Sequence, residues 1–206
     1  MKNSILFVAL IFSVVACNNA QTPEPAKAAT PVQEKTSSQS KKQQTQVIMS
    51  TARPKSQIES NYPFDIELKT ATGDLVNSAQ VLKKNGKPTI LLFWLTTCMP
   101  CRAELNALKK VYADYANDQS FNLVAISTDF SKNFDAFVTR VEESDWEWEA
   151  YNDVNREFRE VMPGGLNGLP QTFIFDKDGK IVYHKRKYRG GDEIILLEKA
   201  KAIAMQ

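Results

Sequence analysis

The apolar residues of the 206-residue chain change their spacing several times, and each change marks a different kind of segment. Ile5 to Ala16 is apolar except for Ser13, too short to span a bilayer, and preceded by the short basic start Met1-Lys2-Asn3-Ser4. That combination fits the hydrophobic region of a secretory signal, placed at residues 1–16. Residues 17–60 then lose apolar periodicity, in stretches such as Asn18-Asn19-Ala20-Gln21-Thr22-Pro23 and Ser37-Ser38-Gln39-Ser40-Lys41-Lys42. Such a segment buries too little surface to offset its ordering entropy and reads as a flexible linker reaching roughly 35–40 Å. Val47-Ile48-Met49 is a small apolar island within it.

Residues 61–206 read as one domain of ordinary size. Phe64, Ile66 and Leu68 alternate as in a half-buried strand, and Thr72-Gly73-Asp74 supplies a turn before Leu75-Val76. Ile90 to Leu95 is continuously apolar, as a central parallel strand requires. A helical pattern follows from Cys98 to about Asn117, then a second apolar strand from Phe121 to Ile126, which completes a βαβ unit. Phe134, Phe137, Val138 and Val141 keep helical spacing, and a short helix is expected from Val154 to Val161. Thr172 to Phe175, the turn Asp176-Lys177-Asp178-Gly179 and Ile181 to Tyr183 predict a hairpin. Asp192 is placed to cap a last helix carrying Ile195, Leu196 and Ile203.

Charge adds little. The formal net charge is +2, and cleavage after residue 16 would remove only Lys2, leaving +1. A balance so close to neutral gives no general attraction to nucleic acid or to acidic membranes.

Cysteine adds a great deal. Cys98-Met99-Pro100-Cys101 stands directly behind the apolar run and opens the helix. Thiols three positions apart lie on adjacent turns, and the first sits at the helix N-terminus, where unsatisfied N–H groups favour a thiolate. The thiolate is the attacking form in thiol–disulfide exchange, so the pair reads as a redox dithiol. Half of a zinc site is the competing reading, but it needs two more ligands, and only one other cysteine and one histidine are present. No metal site is assigned.

Helical spacing singles out Glu104. At about 100° per residue with Leu105 as origin, Tyr112, Leu108, Tyr115 and Val111 fall in one apolar arc. Glu104 lies inside that arc at about 260°, on the same side as Cys101 at about 320°. Arg102, Asn106, Lys109 and Lys110 take the opposite half. A helical glutamate is ordinarily solvated. Here the wheel turns it toward the core, one turn below the second cysteine, where burial raises its pKa into the range useful for proton transfer.

The order of elements resembles the thioredoxin fold and, more narrowly, the membrane-tethered TlpA/ResA-type thiol–disulfide oxidoreductases. The resemblance rests on Phe93-Trp94 before the CxxC, Glu104 after it, and Gly168-Leu169-Pro170-Gln171-Thr172-Phe173 before the hairpin. It implies an α/β fold with a central mixed sheet flanked by helices, an N-terminal β extension, and an insert between Ile126 and Gly168. It implies Cys98 and Cys101 as a redox disulfide, with Glu104 and Pro170 as further catalytic residues. Trp94, Met99, Pro100 and Leu169 would border a substrate groove. Leu169–Pro170 would be a cis bond facing the dithiol, against the alternative of a trans proline opening an edge strand. Val14-Val15-Ala16-Cys17 resembles the lipobox of bacterial lipoproteins, which implies cleavage before Cys17, its acylation and a membrane tether. An ordinary signal would instead leave an unpaired thiol at Cys17. Together these imply a monomeric, lipid-anchored, extracytoplasmic (periplasmic) enzyme without a cofactor, acting on protein disulfides and re-reduced by a membrane thiol donor.

Three positions depart from the family. Thr97 replaces the usual aromatic residue before the first cysteine, Leu92 stands where plain thioredoxin has a buried aspartate, and Asn106 stands where proline is common. Leu92 leaves Glu104 as the substitute proton acceptor. Two rival functions share the wider fold. Peroxide-reducing relatives place a threonine three residues before the reactive cysteine, where this chain has Leu95; copper(I) chaperones space their cysteines one residue further apart. His184 as a copper ligand and Lys185-Arg186-Lys187-Tyr188-Arg189 as a partner patch compete with a solvated strand end whose charges discourage edge pairing. Trp146, Trp148 and Tyr151 are assigned either to a groove or to packing.

Overall fold

A computed structural model describes residues 60–206 apart from Lys83 and Asp118; the leader, the linker and Cys17 lie outside the described residues. The domain is built on one seven-stranded sheet in the order β2-β1-β5-β4-β3-β6-β7. The strands are β1 (Glu67–Lys69), β2 (Leu75–Asn77), β3 (Thr89–Trp94), β4 (Asn122–Ser127), β5 (Glu149–Asn152), β6 (Gln171–Phe175) and β7 (Ile181–Arg186). Strands β3, β4 and β5 run parallel, whereas β6 is antiparallel to β3 and β7 to β6. The helices are α1 (Ser78–Val81), α2 (Met99–Ala116), α3 (Phe134–Ser144), α4 (Phe158–Val161) and α5 (Asp192–Ala204). This mixed sheet, with helices packed against it, is the architecture that the resemblance implies.

Both faces of β3 are covered, which is why its sequence is apolar without alternation. Leu91 and Phe93 point into a core shared with Tyr62, Phe64, Leu68, Phe158, Phe173 and Phe175. Ile90, Leu92 and Trp94 point the other way, toward Cys101, Leu105 and Leu108 of α2, Phe137 of α3, and Leu196 and Leu197 of α5. Among the described residues no helix is long and apolar enough to cross a membrane.

Several elements differ from the sequence expectation, each for a local reason. Phe64 adopts φ +68° in a turn closed by its N–H on Asn61 O, so the first strand is shortened to Glu67–Lys69. The expected helix at 154–161 is helical only from Phe158. The buried Asp153 carboxylate accepts the N–H groups of Glu157 and Phe158 at 2.9 Å, and Arg156 at φ +61° breaks the turn between them. Strand β5 was not expected at all; four residues after two tryptophans carry too short an alternation to announce it. Gly191, rather than Asp192, is the N-cap of α5; the Asp192 carboxylate accepts instead from Arg189 N–H and Lys185 Nζ, both at 2.8 Å.

Phe158 anchors the segment between β5 and β6 to the sheet. Its fully buried ring lies 5.3 Å from Phe64 and 5.2 Å from Phe93. Phe158→Ala should therefore lower the unfolding free energy by about 3–5 kcal/mol, the cost of removing a buried aromatic ring, as read by urea titration.

Candidate functional site

Strand β3 ends at Trp94, and the chain turns through Leu95, Thr96 and Thr97 to reach Cys98, the N-cap of α2. The turn is held from two directions. Cys98 N–H donates to Leu95 O at 3.1 Å, and the buried Asp129 carboxylate accepts both Thr96 N–H at 2.8 Å and Thr96 Oγ1 at 2.9 Å. Ser127 Oγ also donates to Asp129, at 2.7 Å. This clamp escaped sequence reasoning. Its one trace is the polar run Ser127-Thr128-Asp129 closing an apolar strand, all three of which are buried.

Cys98 and Cys101 are joined by a disulfide, with Cα atoms 5.2 Å apart. Cys98 Sγ accepts Cys101 N–H at 3.2 Å, so the first sulfur occupies the place of an N-cap acceptor at the positive end of the helix. Pro100 lies in the first helical turn, where its missing N–H costs nothing. Cys98 is partly exposed, whereas Cys101 is completely buried. Met99 between them is 69% exposed.

Glu104 lies on the buried face of α2, as helical spacing predicts, with Asn106, Lys109 and Lys110 on the exposed one. Only 3% of Glu104 is accessible. Its Oε1 accepts Thr172 Oγ1 at 3.1 Å, which bridges α2 to β6, while Oε2 is buried without a partner among the described residues. Burial pushes the carboxyl from 4.5 up to about 7. The Thr172 hydroxyl and the more distant Lys185 pull it down, and Asp192 and Glu193 push it up. Leu92 is the cross-strand partner of Thr172, so an aliphatic side chain stands on β3 opposite the residue whose hydroxyl bonds Glu104.

The bond Leu169–Pro170 is cis, as is Tyr62–Pro63. Because Phe93 pairs with Gln171, residues 168–170 run past the end of β3 on the side where Cys98 emerges. Leu169 packs against the same core as Cys98 and is partly exposed, and Pro170 is buried. Of the four expected groove residues, Met99, Pro100 and Leu169 reach the surface. Trp94 does not: it is fully buried, edge-on to Trp146 at 5.5 Å, and underlies the site as a floor. Trp146 and Trp148 stack at 5.6 Å, and Trp148 meets Tyr112, so this pair packs on α2. His184 lies flat on Phe173 at 4.1 Å and bonds Gln171 at 2.9 Å, on the second strand beyond β3. Among the described residues no three His, Cys, Asp or Glu side chains gather to hold a metal ion.

The chain is similar in sequence and in fold to known proteins. The chain is 29% identical over 119 residues to the thiol-disulfide oxidoreductase ResA of Oceanobacillus iheyensis, across 57% of this chain and 59% of that protein. It thus spans about three-fifths of that relative's length. The solution structure of a thioredoxin-like protein from Porphyromonas gingivalis superposes with a TM-score of 0.58 at 33% identity, covering 69% of this chain and 91% of the other. The thioredoxin domain of a thiol-disulfide oxidoreductase from Bacteroides vulgatus gives 0.53 at 25% identity, covering 66% and 93%. Residues 59–184 match the AhpC/TSA family, and with the thioredoxin-like sheet and the cysteine pair at the head of α2, the chain belongs to that family.

Proposed function

We propose that this protein is a thiol–disulfide oxidoreductase that reduces disulfides in other polypeptides outside the cytosol, tethered by a lipid on Cys17. The observation that carries the reading is the pairing of a partly exposed Cys98 with a buried Cys101 at the N-terminus of α2. The tether is supported by the leader pattern and by Cys17 at its end.

In the reduced protein, Cys98 is the thiolate that the helix terminus favours. It attacks one sulfur of the substrate disulfide; that S–S bond breaks and one substrate thiolate leaves, giving a mixed disulfide with Cys98. Glu104, one turn beyond Cys101 on the same face, takes the Cys101 proton. The Cys101 thiolate then attacks Cys98 Sγ and expels the second substrate thiolate. Two electrons pass from the dithiol to the substrate, and the protein is left with the Cys98–Cys101 disulfide. A thiol donor at the membrane restores the dithiol by the same exchange in reverse. The backbone of Gly168 and Leu169, ahead of Pro170, borders Cys98 as the edge for an extended substrate chain. A carboxyl near pKa 7 is matched to moving a thiol proton at neutral pH.

Three outcomes test this reading. Cys101→Ser should accumulate mixed disulfides with extracytoplasmic proteins that survive non-reducing gels and vanish with dithiothreitol, and Cys98→Ser should trap far fewer. Equal trapping by both variants would reverse the assignment of the attacking cysteine. The couple should equilibrate nearer thioredoxin's roughly −270 mV than the roughly −120 mV of a strong oxidant, because Met99-Pro100 offers no cation to stabilise the reduced thiolate. A potential above about −150 mV would make the protein an oxidase, and peroxide turnover equal to disulfide turnover would make it a peroxidase. Glu104→Gln should remove a pH limb near 7 from the exchange rate and also alter stability. Folded Glu104 keeps its proton up to about pH 7, whereas the unfolded chain releases it near 4.5. Stability contributed by this group therefore falls as pH rises between those values, by at most about 3 kcal/mol, and levels off above. The glutamine variant should lack that slope in urea titrations at pH 4.5 to 8.

A further inference from the structure

Four segments of chain meet at the end of the sheet where Cys98 emerges. Because β4 and β5 are parallel to β3, the residues after them, Asp129-Phe130 and Asp153 to Arg156, lie at that end. Because β6 is antiparallel to β3 and β7 to β6, the residues before β6 and after β7 lie there as well. These segments bring Arg156, Arg159, Arg186 and Lys187 to the rim around Leu169. Arg159 Nη2 donates to Asn167 Oδ1 at 3.2 Å, and Arg186 Nη2 donates to Asn167 O. Lys187 N–H donates to Pro170 O at 2.9 Å, so its side chain starts beside the proline. A Cβ on Gly168, at φ +77°, would stand 3.4 Å from Arg186 Nη2, which measures how closely that cation follows the loop.

Among the described residues the cations of this rim are not held in salt bridges, and the nearby acids that act on Arg156 are Asp153 and Asp129. Lys185, the first of the basic run, is by contrast paired with Asp192. Asp129 and Asp153 are buried, and their oxygens are committed to Thr96, Ser127, Glu157 and Phe158. Glu157 accepts from Asn155, and Glu160 shares an open recess with Arg156, Arg159 and Asn167. Arg156 Nε is buried without a partner among the described residues; burial, followed by the nearby Arg159, holds this guanidinium below its ordinary pKa, against the pull of Asp153 and Asp129. The same rim exposes apolar surface. Met99 is 69% and Phe130 51% exposed, with the Arg156 guanidinium 4.2 Å above the Phe130 ring.

We propose that this rim selects among disulfide substrates: it seats an acidic stretch of polypeptide, whose carboxylates pair with Arg159, Arg186 and Lys187 while its apolar side chains rest on Met99 and Phe130. The proposal rests on the disulfide-reductase reading and names the substrate class for that site. It also divides the basic run by role, with Lys185 bound to Asp192 and with Arg186 and Lys187 turned to the partner. Exposed charge pairs are individually weak, but several acting together steer encounter and discriminate between partners.

The test uses two synthetic peptides with the same cystine loop, one flanked by aspartates and one by lysines, together with hydroxyethyl disulfide as an uncharged substrate. At low salt the parent protein should reduce the acidic peptide with kcat/KM about tenfold above the basic one, and the ratio should approach one near 0.5 M salt. Arg159→Gln/Arg186→Gln should lower the ratio, and Arg159→Lys/Arg186→Lys should restore it, because charge and not guanidinium shape is invoked. Equal or inverted rates for the two peptides at low salt, with hydroxyethyl disulfide still reduced, would overturn the acidic-substrate proposal and leave the redox reading intact. A preference unmoved by salt and by the glutamine variant would overturn it too. Failure to reduce any of the three substrates would overturn both.

Discussion

The structure depends on β3 being covered on both faces and hydrogen-bonded along both edges. A strand in that position has no freedom of register: a slip of one residue would exchange Leu91 and Phe93 with Leu92 and Trp94 and disrupt both cores at once. The exit point of the strand is therefore fixed, and with it the place where Cys98 begins α2. Parallel pairing with β4 carries Asp129 to the same end, and antiparallel pairing with β6 brings the Gly168-Leu169-Pro170 segment there. The site is assembled by strand direction before any side chain in it makes a contact.

Within that frame, the buried Glu104 carries an electrostatic cost. A carboxyl with 3% accessibility and one hydrogen-bonded oxygen keeps its proton up to about pH 7, and the Thr172 hydroxyl limits how far its pKa climbs. Removing that hydroxyl would withdraw the strongest of the influences that favour the ionised form. The group is thus tuned by a residue of β6, the strand that faces the buried side of its helix. Two elements with no covalent proximity set one proton affinity.

Much of this was legible in the sequence. The continuous apolar run announced β3, the CxxC announced the helix start, and a wheel was enough to bury Glu104. The signal failed wherever structure is made by side chain to backbone hydrogen bonds in place of periodicity. Asp153 delays α4 and Asp129 secures the Thr96 turn, yet an aspartate after an apolar strand looks like any surface turn residue until its partners are known. Trp94 misled for another reason. An aromatic residue close to a reactive cysteine can line a groove or support it, and only its place on the face of β3 covered by α2 decides for support. The basic run resisted because its members face different neighbours, one an aspartate within the chain and others the rim of the site.

The clamp on Thr96 has a bearing on how such a domain can change over time. Asp129 and Ser127 hold the approach to the dithiol from outside the Cys98-Met99-Pro100-Cys101 sequence, so neither residue between the cysteines is needed to shape the turn. Met99 projects outward and Pro100 fills a helical position that asks for no N–H donor. Those two positions are therefore open to exchange without loss of the frame that presents the sulfurs. A change at either position would alter what surrounds the sulfurs and leave their mounting untouched.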